Sequence, residues 1–243
     1  MDRLYIIMPA YNEEETIQGV VRGWHQVVRD VGEGSRLVVV DDGSRDRTPQ
    51  ILQALKGQLP QLVCLTKENG GHGPAIRFGY QYALDQGADY VFQTDSDGQT
   101  VPGEFYPMWA ARRDYDYQIG WRKKRQDGWS RAVVTRVLRL VVLATLWVWV
   151  PDANAPFRLM SGPTLRRHLD YVPENCPLTN VALAAFYGKS GQRGRFLPIT
   201  FLPRQGGTNS IGLGRVWKIG WRALWDLGRL NQSFERSGGG KER

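Results

Sequence analysis

The fold is decided by the sequence LVVVDDGSRDRTP at residues 37–49. Its first four residues form a continuous apolar run, which predicts a strand buried on both faces. A polar turn of Asp, Gly and Ser follows, and Thr48-Pro49 then supplies a capping hydroxyl and a proline at the first turn of a helix. The stretch therefore predicts a strand, a turn and a helix, the unit from which parallel α/β sheets are built.

The same unit recurs on both sides of this stretch. Short apolar runs predict further buried strands, and helices are indicated by apolar residues at helical spacing. The alternation of the two predicts an α/β fold with a mostly parallel central sheet flanked by helices. The predicted strands lie at residues 4–8, 62–65, 90–92, 117–121 and 195–202, and the predicted helices start near residue 13 or span 73–84, 129–150 and 178–187.

Composition is that of a globular protein, since 42% of the 243 residues are hydrophobic and 23% are charged. The cysteines Cys64 and Cys176 follow no metal-ligand spacing, and no signal peptide precedes the first strand, so free thiols in a reducing cytoplasm are expected.

The longest apolar stretch, residues 140–150, is too short to span a membrane. It predicts a buried or interfacial helix.

Positive charge is concentrated in one part of the chain. The formal net charge is +8, and residues 112–139 hold nine Lys or Arg against three Asp, a net of +6. Such a block indicates a polyanionic partner, which can be nucleic acid, an acidic membrane face or a phosphorylated substrate. A solvated basic loop is the competing interpretation.

Polar clusters follow three of the predicted strands, at residues 11–13, 41–44 and 95–97. Ligands of parallel sheets bind at the carboxyl ends of the strands, so these clusters predict one shared site. Asp95 and Asp97 bring two like charges together, which a divalent cation such as Mg²⁺ or Mn²⁺ would relieve. Taken alone, an Asp-x-Asp sequence is a polar turn more often than a metal site.

The motifs taken together resemble a known family. Residues 9–13 (PAYNE), 40–44 (VDDGS) and 95–99 (DSDGQ) are similar to those of glycosyltransferase family 2, which has the GT-A fold. Within that family, the chain most resembles the polyprenyl-phosphate (dolichyl-phosphate mannose synthase-like) branch. The resemblance covers roughly residues 4–211. Its motifs stand in order at residues 69–75 (NGGHGPA), 120–122 (GWR), 152–158 (DANAPFR) and 204–207 (RQGG).

The resemblance implies transfer of a sugar from a nucleotide-sugar with inversion at the anomeric carbon. Asp41 is expected to serve its turn, and the glycines of residues 70–73 are either a phosphate cradle or an ordinary loop. The implied nucleotide contacts are Pro9, Tyr11, Glu13, Asp42, Asp95 and Ser96, and the implied Mg²⁺ or Mn²⁺ ligands are Asp95, Asp97 and Gln99.

On the acceptor side, a phosphate needs cationic positioning, whereas a hydroxyl needs a general base. No acidic pair occurs at residues 177–180, and the resemblance assigns Arg122, Arg131 and Arg204 to a polyprenyl phosphate. Asp152 is a base or, preferably, an orienter of these arginines. The branch's usual Ser-Gly-Phe is replaced by Ala-Pro-Phe at 155–157, which affects the expected acceptor geometry.

Two other functions remain open at this stage. One is transfer to a saccharide or another hydroxyl acceptor, which the absence of an acidic pair disfavours. The other is a non-catalytic basic module for membranes or nucleic acid, which clustered carboxylates disfavour because they repel polyanions. A nucleotide-sugar, a polyprenyl phosphate and the membrane surface are therefore the expected partners, without nucleic acid.

Three segments are predicted along the chain: a GT-A domain at 1–211, an amphipathic helix at 212–231 and a disordered tail at 232–243. In the helix, a basic stripe runs beside Trp217, Trp221 and Trp225, which is typical of a helix in the lipid headgroup layer. Packing back on the sheet is the alternative. The predicted location is cytoplasmic, peripheral on the inner face of the membrane, in cell-envelope synthesis.

Overall fold

The described part of the chain forms an α/β structure with seven strands in one sheet. The structure is a computed structural model and describes residues 2–122, 143, 150–203, 225, 228–232 and 234–235. The strands are β1 (Leu4–Ala10), β2 (Arg36–Asp41), β3 (Leu62–Thr66), β4 (Tyr90–Gln93), β5 (Tyr117–Arg122), β6 (Arg158–Ser161) and β7 (Gly194–Ile199). The helices are α1 (Ile17–Val31), α2 (Thr48–Lys56), α3 (His72–Asp85), α4 (Tyr106–Ala110), α5 (Gly162–Leu169) and α6 (Thr179–Lys189), with a 3₁₀ turn at Pro102–Phe105.

The strand order is β3-β2-β1-β4-β6-β5-β7. Every neighbouring pair is parallel except the two that involve β6, which runs antiparallel to both β4 and β5. Six strands therefore point the same way, and their carboxyl ends lie along one edge of the sheet. The chain enters β6 at this same edge.

The predicted fold class is confirmed. The first four apolar runs all form parallel strands, of which β1 is fully buried and the edge strand β3 is only partly buried, and the predicted strand at 117–121 is β5. The sequence did not predict β6, which is four residues long and begins with the fully buried Arg158. The strand predicted at 195–202 ends earlier, at Ile199, because Thr200 and Leu202 bond to the segment after β4.

Two apolar layers cover the sheet. On one face, α1 and α2 pack over an aromatic group in which Phe92 and Phe157 meet edge to face with ring centroids 4.7 Å apart. On the other face lie α3, α5 and α6. Residues 179–187 of α6 are all buried, which explains why this segment shows no amphipathic pattern.

The chain after residue 227 is helical where described and packs on the domain. Phe234 is fully buried and stacks on Phe186 of α6, with ring centroids 4.4 Å apart, while Leu230 is 7% exposed. The structure thus differs from the expectation of a tail starting at 232, because the apolar ring of Phe234 finds a place between α5 and α6. Trp225 is 60% exposed.

Two predicted helices fall largely outside the described residues, namely 129–150 and the amphipathic helix at 212–231. Among the helices that are described, none combines the length and the apolar character that a membrane crossing requires.

Gly79 and Gly19 offer a matched test of how tightly α3 packs on the sheet. A Cβ at Gly79 would collide with the Cγ2 of Ile7 and lie 3.1 Å from the Cγ2 of Val40, whereas Gly19 of α1 has nothing within 4 Å. We expect Gly79→Ala to lower the free energy of unfolding by about 1–3 kcal/mol. Gly19→Ala should raise it by about 0.5–1 kcal/mol, since Ala favours helix. Urea denaturation measures both, and equal effects would contradict the packing.

Candidate active site

A cavity of about 340 Å³ opens at the carboxyl edge of the sheet. Seven of the predicted site residues line it, and they come from the end of β1 and from the segments that follow β1, β2 and β4. The structure therefore brings the three polar clusters of the sequence into one place. The lining residues are Pro9, Ala10, Tyr11, Glu13, Asp42, Asn69, Gly71, His72, Ala75, Asp95, Ser96 and Asp97.

The loops after β1 and β2 hold each other in place. The main-chain N–H of Asn12 donates to Ser44 Oγ at 3.0 Å, and that of Glu13 donates to Thr48 Oγ1 at 2.9 Å. Asn12 has φ of +53°, a left-handed conformation that Asn tolerates. Tyr11 is thereby presented with its side chain at the mouth of the cavity, 43% exposed.

The two neighbouring carboxylates of the second cluster differ in what they contact. Asp41 Oδ1 accepts a hydrogen bond from the main chain of Ser44 at 3.0 Å, so this side chain closes the turn after β2. Its Oδ2 is buried and has no hydrogen-bond partner in the described part of the chain. Asp42 lines the cavity instead.

The carboxylate of Asp42 holds the glycine-rich loop before α3. It accepts hydrogen bonds from Lys67 Nζ at 2.8 Å, Gly70 N at 3.0 Å and Gly71 N at 2.7 Å, and its side chain is 4% exposed. Two of the main-chain donors that the cradle interpretation would use for a phosphate are thus already bonded to Asp42. The loop with its glycines serves as a wall of the cavity.

The acidic motif after β4 forms a tight turn. Asp97 Oδ1 accepts a hydrogen bond from the main-chain N–H of Gln99 at 3.2 Å. Gly98 has φ of +71°, in the left-handed region where a side chain is strained, so glycine is required between them. This turn fixes the direction of the Asp97 carboxylate beside the cavity.

Thr16 joins the first cluster to the third and was not singled out from the sequence. Its Oγ1 lies 3.0 Å from Glu13 Oε2 and 3.2 Å from the carbonyl oxygen of Ser96. The hydroxyl is therefore within hydrogen-bond distance of both lining segments. The sequence signal that could have identified Thr16 is its position three residues after Glu13, just before α1.

Asp95 is a carboxylate of the cavity with a strongly raised pKa. Desolvation, followed by the like charge of Asp97, raises the pKa of Asp95 to about 8, although a quarter of its side chain is accessible. Gln93 Nε2 donates to its Oδ1 at 3.4 Å, and His72 Nε2 lies 3.5 Å from the same oxygen. Two carboxylates in this arrangement favour a bound cation, which would keep both ionised.

No cluster of three or more His, Cys, Asp or Glu side chains able to hold a metal occurs within the described ranges. A cation at Asp95 and Asp97 would therefore complete its shell with ligand or water oxygens, as Mg²⁺ commonly does. Gln99, the third predicted ligand, does not line the cavity, and its Nε2 donates to the carbonyl of Leu202 at 2.8 Å. The two carboxylates fit a divalent ion, and Gln99 has another partner.

A buried polar chain lies behind the acidic motif. Tyr80 Oη lies 3.0 Å from Gln93 Oε1 and 3.2 Å from Asn180 Oδ1, and all three side chains are almost fully buried. Gln93 in turn contacts Asp95. These residues come from α3, β4 and α6, so no local sequence pattern could have joined them.

Arg158 is the buried cation at the end of this chain. Its guanidinium donates to the carbonyl oxygens of Ala153, Ala155 and Asn180 at distances between 2.6 and 3.1 Å. Burial lowers the pKa of Arg158, and the carbonyl oxygens supply part of the lost solvation. The sequence signal is a single basic residue in the apolar run at 157–160. Arg158 thereby fixes the segment that carries Asp152.

Of the residues predicted to act on the acceptor side, the structure describes Arg122 and Asp152. Arg122, the last residue of β5, donates from Nε and Nη2 to the two carboxylate oxygens of Asp152 at 2.8 and 2.9 Å. Its Cζ lies 5.1 Å from the ring centroid of Phe201. This two-point pair holds the guanidinium plane, as the orienter interpretation of Asp152 expects. Arg131 and Arg204 lie outside the described residues.

Solved structures with the same fold support the predicted architecture. Glucosyl-3-phosphoglycerate synthase from Mycobacterium tuberculosis, crystallised with Mn²⁺, UDP and phosphoglyceric acid, matches 95% of this chain and 78% of its own with a TM-score of 0.69 at 17% identity. S. aureus TarS 1-349 matches 98% and 74% with a TM-score of 0.58 at 18% identity. The GT-A fold is confirmed.

Sequence comparison gives the family. The chain is 30% identical over 162 residues to undecaprenyl-phosphate 4-deoxy-4-formamido-L-arabinose transferase of Pseudomonas aeruginosa, a match that covers 65% of this chain. It spans 47% of that relative, about half the length of the curated relatives it matches. The family model described as Glycosyl transferase family 2 matches residues 5–161. The chain belongs to glycosyltransferase family 2.

Proposed function

We propose that this chain moves a sugar from a nucleotide-sugar to a polyprenyl phosphate, with inversion at the anomeric carbon and with a divalent metal ion. The observation that carries the proposal is the cavity in which the Asp95–Asp97 motif meets the loops after β1 and β2. The relative from P. aeruginosa, named for transfer to undecaprenyl phosphate, supports the acceptor class.

The donor half of the proposal rests on the residues that line the cavity. Tyr11 is exposed at its mouth, where an aromatic ring can stack on a base, and Glu13 can accept a base N–H or a ribose hydroxyl. Pro9, Asp42 and Ser96 line the same space. Asp42 acts here mainly through the glycine loop that it holds.

Asp95 and Asp97 would hold the metal ion, with Asp97 as the principal ligand. When bound, Mg²⁺ or Mn²⁺ would neutralise negative charge on the leaving diphosphate. The neighbour from M. tuberculosis, crystallised with Mn²⁺ and UDP, has the same fold and is consistent with a divalent metal. The raised pKa of Asp95 supports a cation-binding site, because a bound cation removes the repulsion between the two ionised carboxylates.

The acceptor half needs a cation and no general base. A phosphate oxygen is already anionic, and it would attack the anomeric carbon as the bond from that carbon to the nucleoside diphosphate breaks. Arg122 would hold the acceptor phosphate, and Asp152 would keep the guanidinium in position through its two hydrogen bonds. Arg131 and Arg204 stay sequence-based assignments to the same phosphate.

A hydroxyl acceptor is the weaker alternative. It requires a base within hydrogen-bond reach of the proton, yet both oxygens of Asp152 accept hydrogen bonds from Arg122. Asn180 lies in the region, residues 177–180, where a hydroxyl acceptor would call for an acidic pair. It is buried and contacts Tyr80 and Arg158. These contacts favour the phosphate acceptor.

A lipid acceptor implies that the chain works at a membrane surface, which we propose to be the cytoplasmic face. The exposed Trp225 and the basic stripe of the sequence around it support peripheral binding. Leu230 and Phe234 pack on the domain, so this part of the helix is held by the protein itself.

The metal role predicts the effect of Asp97→Asn. This nearly isosteric change removes a charged ligand. We expect the rate of formation of sugar-linked undecaprenyl phosphate to fall at least about 100-fold, the size of loss seen when a group that stabilises developing charge is removed. The assay uses a nucleotide-sugar panel with Mn²⁺. Asp85→Asn, on the exposed end of α3, is the matched control and should retain activity. Unchanged transfer by Asp97→Asn would disprove the metal role, and sugar found only on hydroxyl acceptors would disprove the acceptor class.

The acceptor role predicts a selective effect of Arg122→Lys. Lysine keeps the charge but lacks the fork that Asp152 holds, so we expect the KM for the polyprenyl phosphate to rise about tenfold, the loss of roughly one charged hydrogen bond. The Kd for the nucleotide should stay within about twofold. Arg113→Lys, an arginine whose side chain is 73% exposed, is the control. Equal weakening of donor and acceptor would contradict the assignment.

The pKa of Asp95 predicts how stability depends on pH without metal. The folded protein keeps this proton up to about pH 8, whereas the unfolded chain loses it near the ordinary value of 3.8. The folded state therefore binds the extra proton between these values, and the free energy of unfolding should fall as pH rises, by at most about 1.4 kcal/mol per pH unit. Urea denaturation in EDTA from pH 5 to 8 measures this. Asp95→Asn should flatten the profile relative to wild type, and parallel profiles would contradict the assignment.

A further inference from the structure

Gln99 contacts both halves of the site. Its main-chain N–H donates to Asp97 Oδ1 at 3.2 Å. Its carbonyl oxygen accepts from the main-chain N–H of Leu202 at 2.8 Å, and its side-chain Nε2 donates to the carbonyl oxygen of Leu202, also at 2.8 Å. One residue of the acidic motif thus forms two hydrogen bonds with a residue 103 positions later in the chain.

The segment that Gln99 holds, residues 200–202, is here named the acceptor strap. It is fixed at a second point, where the main-chain N–H of Thr200 donates to both carboxylate oxygens of Glu104 at 3.0 Å. Phe201 lies between the two anchored residues, is 8% exposed, and has its ring 5.1 Å from the Cζ of Arg122. The strap therefore forms part of the support on which Arg122 lies.

The side chain of Gln99 suits an anchor. It is 2% exposed and lies outside the lining of the cavity. The amide supplies the N–H that the Leu202 carbonyl accepts, and this partly buried hydrogen bond stabilises the contact between the two residues. Glu at this position would keep an oxygen and lose that donor.

We propose that Gln99 is a positioning residue that fixes the acceptor strap, and through Phe201 the guanidinium of Arg122, relative to the carboxylate of Asp97. This inference rests on the proposed function for its catalytic meaning. It replaces the sequence-based assignment of Gln99 as a metal ligand. Loss of the anchor misplaces the acceptor phosphate with respect to the donor, while the donor cavity itself keeps its residues.

Two substitutions separate an anchor from a ligand. Gln99→Glu keeps a metal-binding oxygen and removes the amide donor, whereas Gln99→Met removes both at similar size. For an anchor, both changes should raise the KM for polyprenyl phosphate about tenfold, because the same hydrogen bond is lost. In Gln99→Met, the Kd of Mn²⁺ with UDP, measured by titration calorimetry without acceptor, should stay within about twofold.

Two further variants complete the test. Gln18→Met makes the matched change at an exposed position of α1 and should match wild type. Glu104→Ala releases the strap at Thr200 and should give the same rise in acceptor KM from outside the acidic motif. In the ligand-free protein, hydrogen exchange at the Leu202 amide should quicken at least about tenfold in Gln99→Met, since loss of the side-chain bond leaves Leu202 held only by its bond to the Gln99 main-chain carbonyl.

A metal ligand would behave differently. If Gln99→Met weakens Mn²⁺ binding as much as Asp97→Asn does and Gln99→Glu restores it, the inference is wrong. It is also wrong if wild type is active and the Gln99 and Glu104 variants keep its acceptor KM. Absence of sugar-linked polyprenyl phosphate in wild type, by contrast, overturns the proposed function, and exchange at Leu202 then decides the anchor by itself.

Discussion

The placement of two acidic side chains, Asp95 and Asp97, in one desolvated turn is the constraint on which the rest of the site depends. The two carboxylates follow a buried strand, and desolvation together with their mutual repulsion raises the pKa of Asp95 to about 8. The fold holds them there through Gln93 behind Asp95 and through the glycine turn after Asp97. Such an arrangement costs stability in the free protein and favours a cation with its anionic ligand. The proposed nucleotide-sugar donor, bound together with a divalent metal ion, would meet that condition.

The two halves of the site are connected through the protein interior. Behind the donor cavity, Tyr80 and Asn180 lead to Arg158, whose guanidinium holds the carbonyls of the segment after Asp152. In front, Gln99 joins Asp97 to the acceptor strap below Arg122. A buried arginine bonded to carbonyl oxygens is an expensive way to stabilise a fold. Its position between the two halves explains it better as a means of keeping them in register.

The sequence predicted the features that depend on neighbouring residues in the chain. Continuous apolar runs predicted the parallel strands, and the rule that ligands bind at their carboxyl ends predicted the cavity. It did not reach β6, where Arg158 interrupts the apolar pattern, or the anchors of Gln99, whose partner lies 103 residues away. It also could not tell that Asp42 would take the amides of Gly70 and Gly71. Such contacts depend on how distant segments meet.

If the acidic motif binds a metal ion as proposed, Asp95 should give up its proton when Mn²⁺ binds with the donor. Titration calorimetry of Mn²⁺ with UDP at pH 7, in two buffers of different ionisation enthalpy, counts the protons released. We expect release of close to one proton in wild type, because a pKa of about 8 leaves Asp95 mostly protonated at that pH. We expect almost none in Asp95→Asn. The same heat in both buffers for wild type, with Mn²⁺ bound, would contradict it.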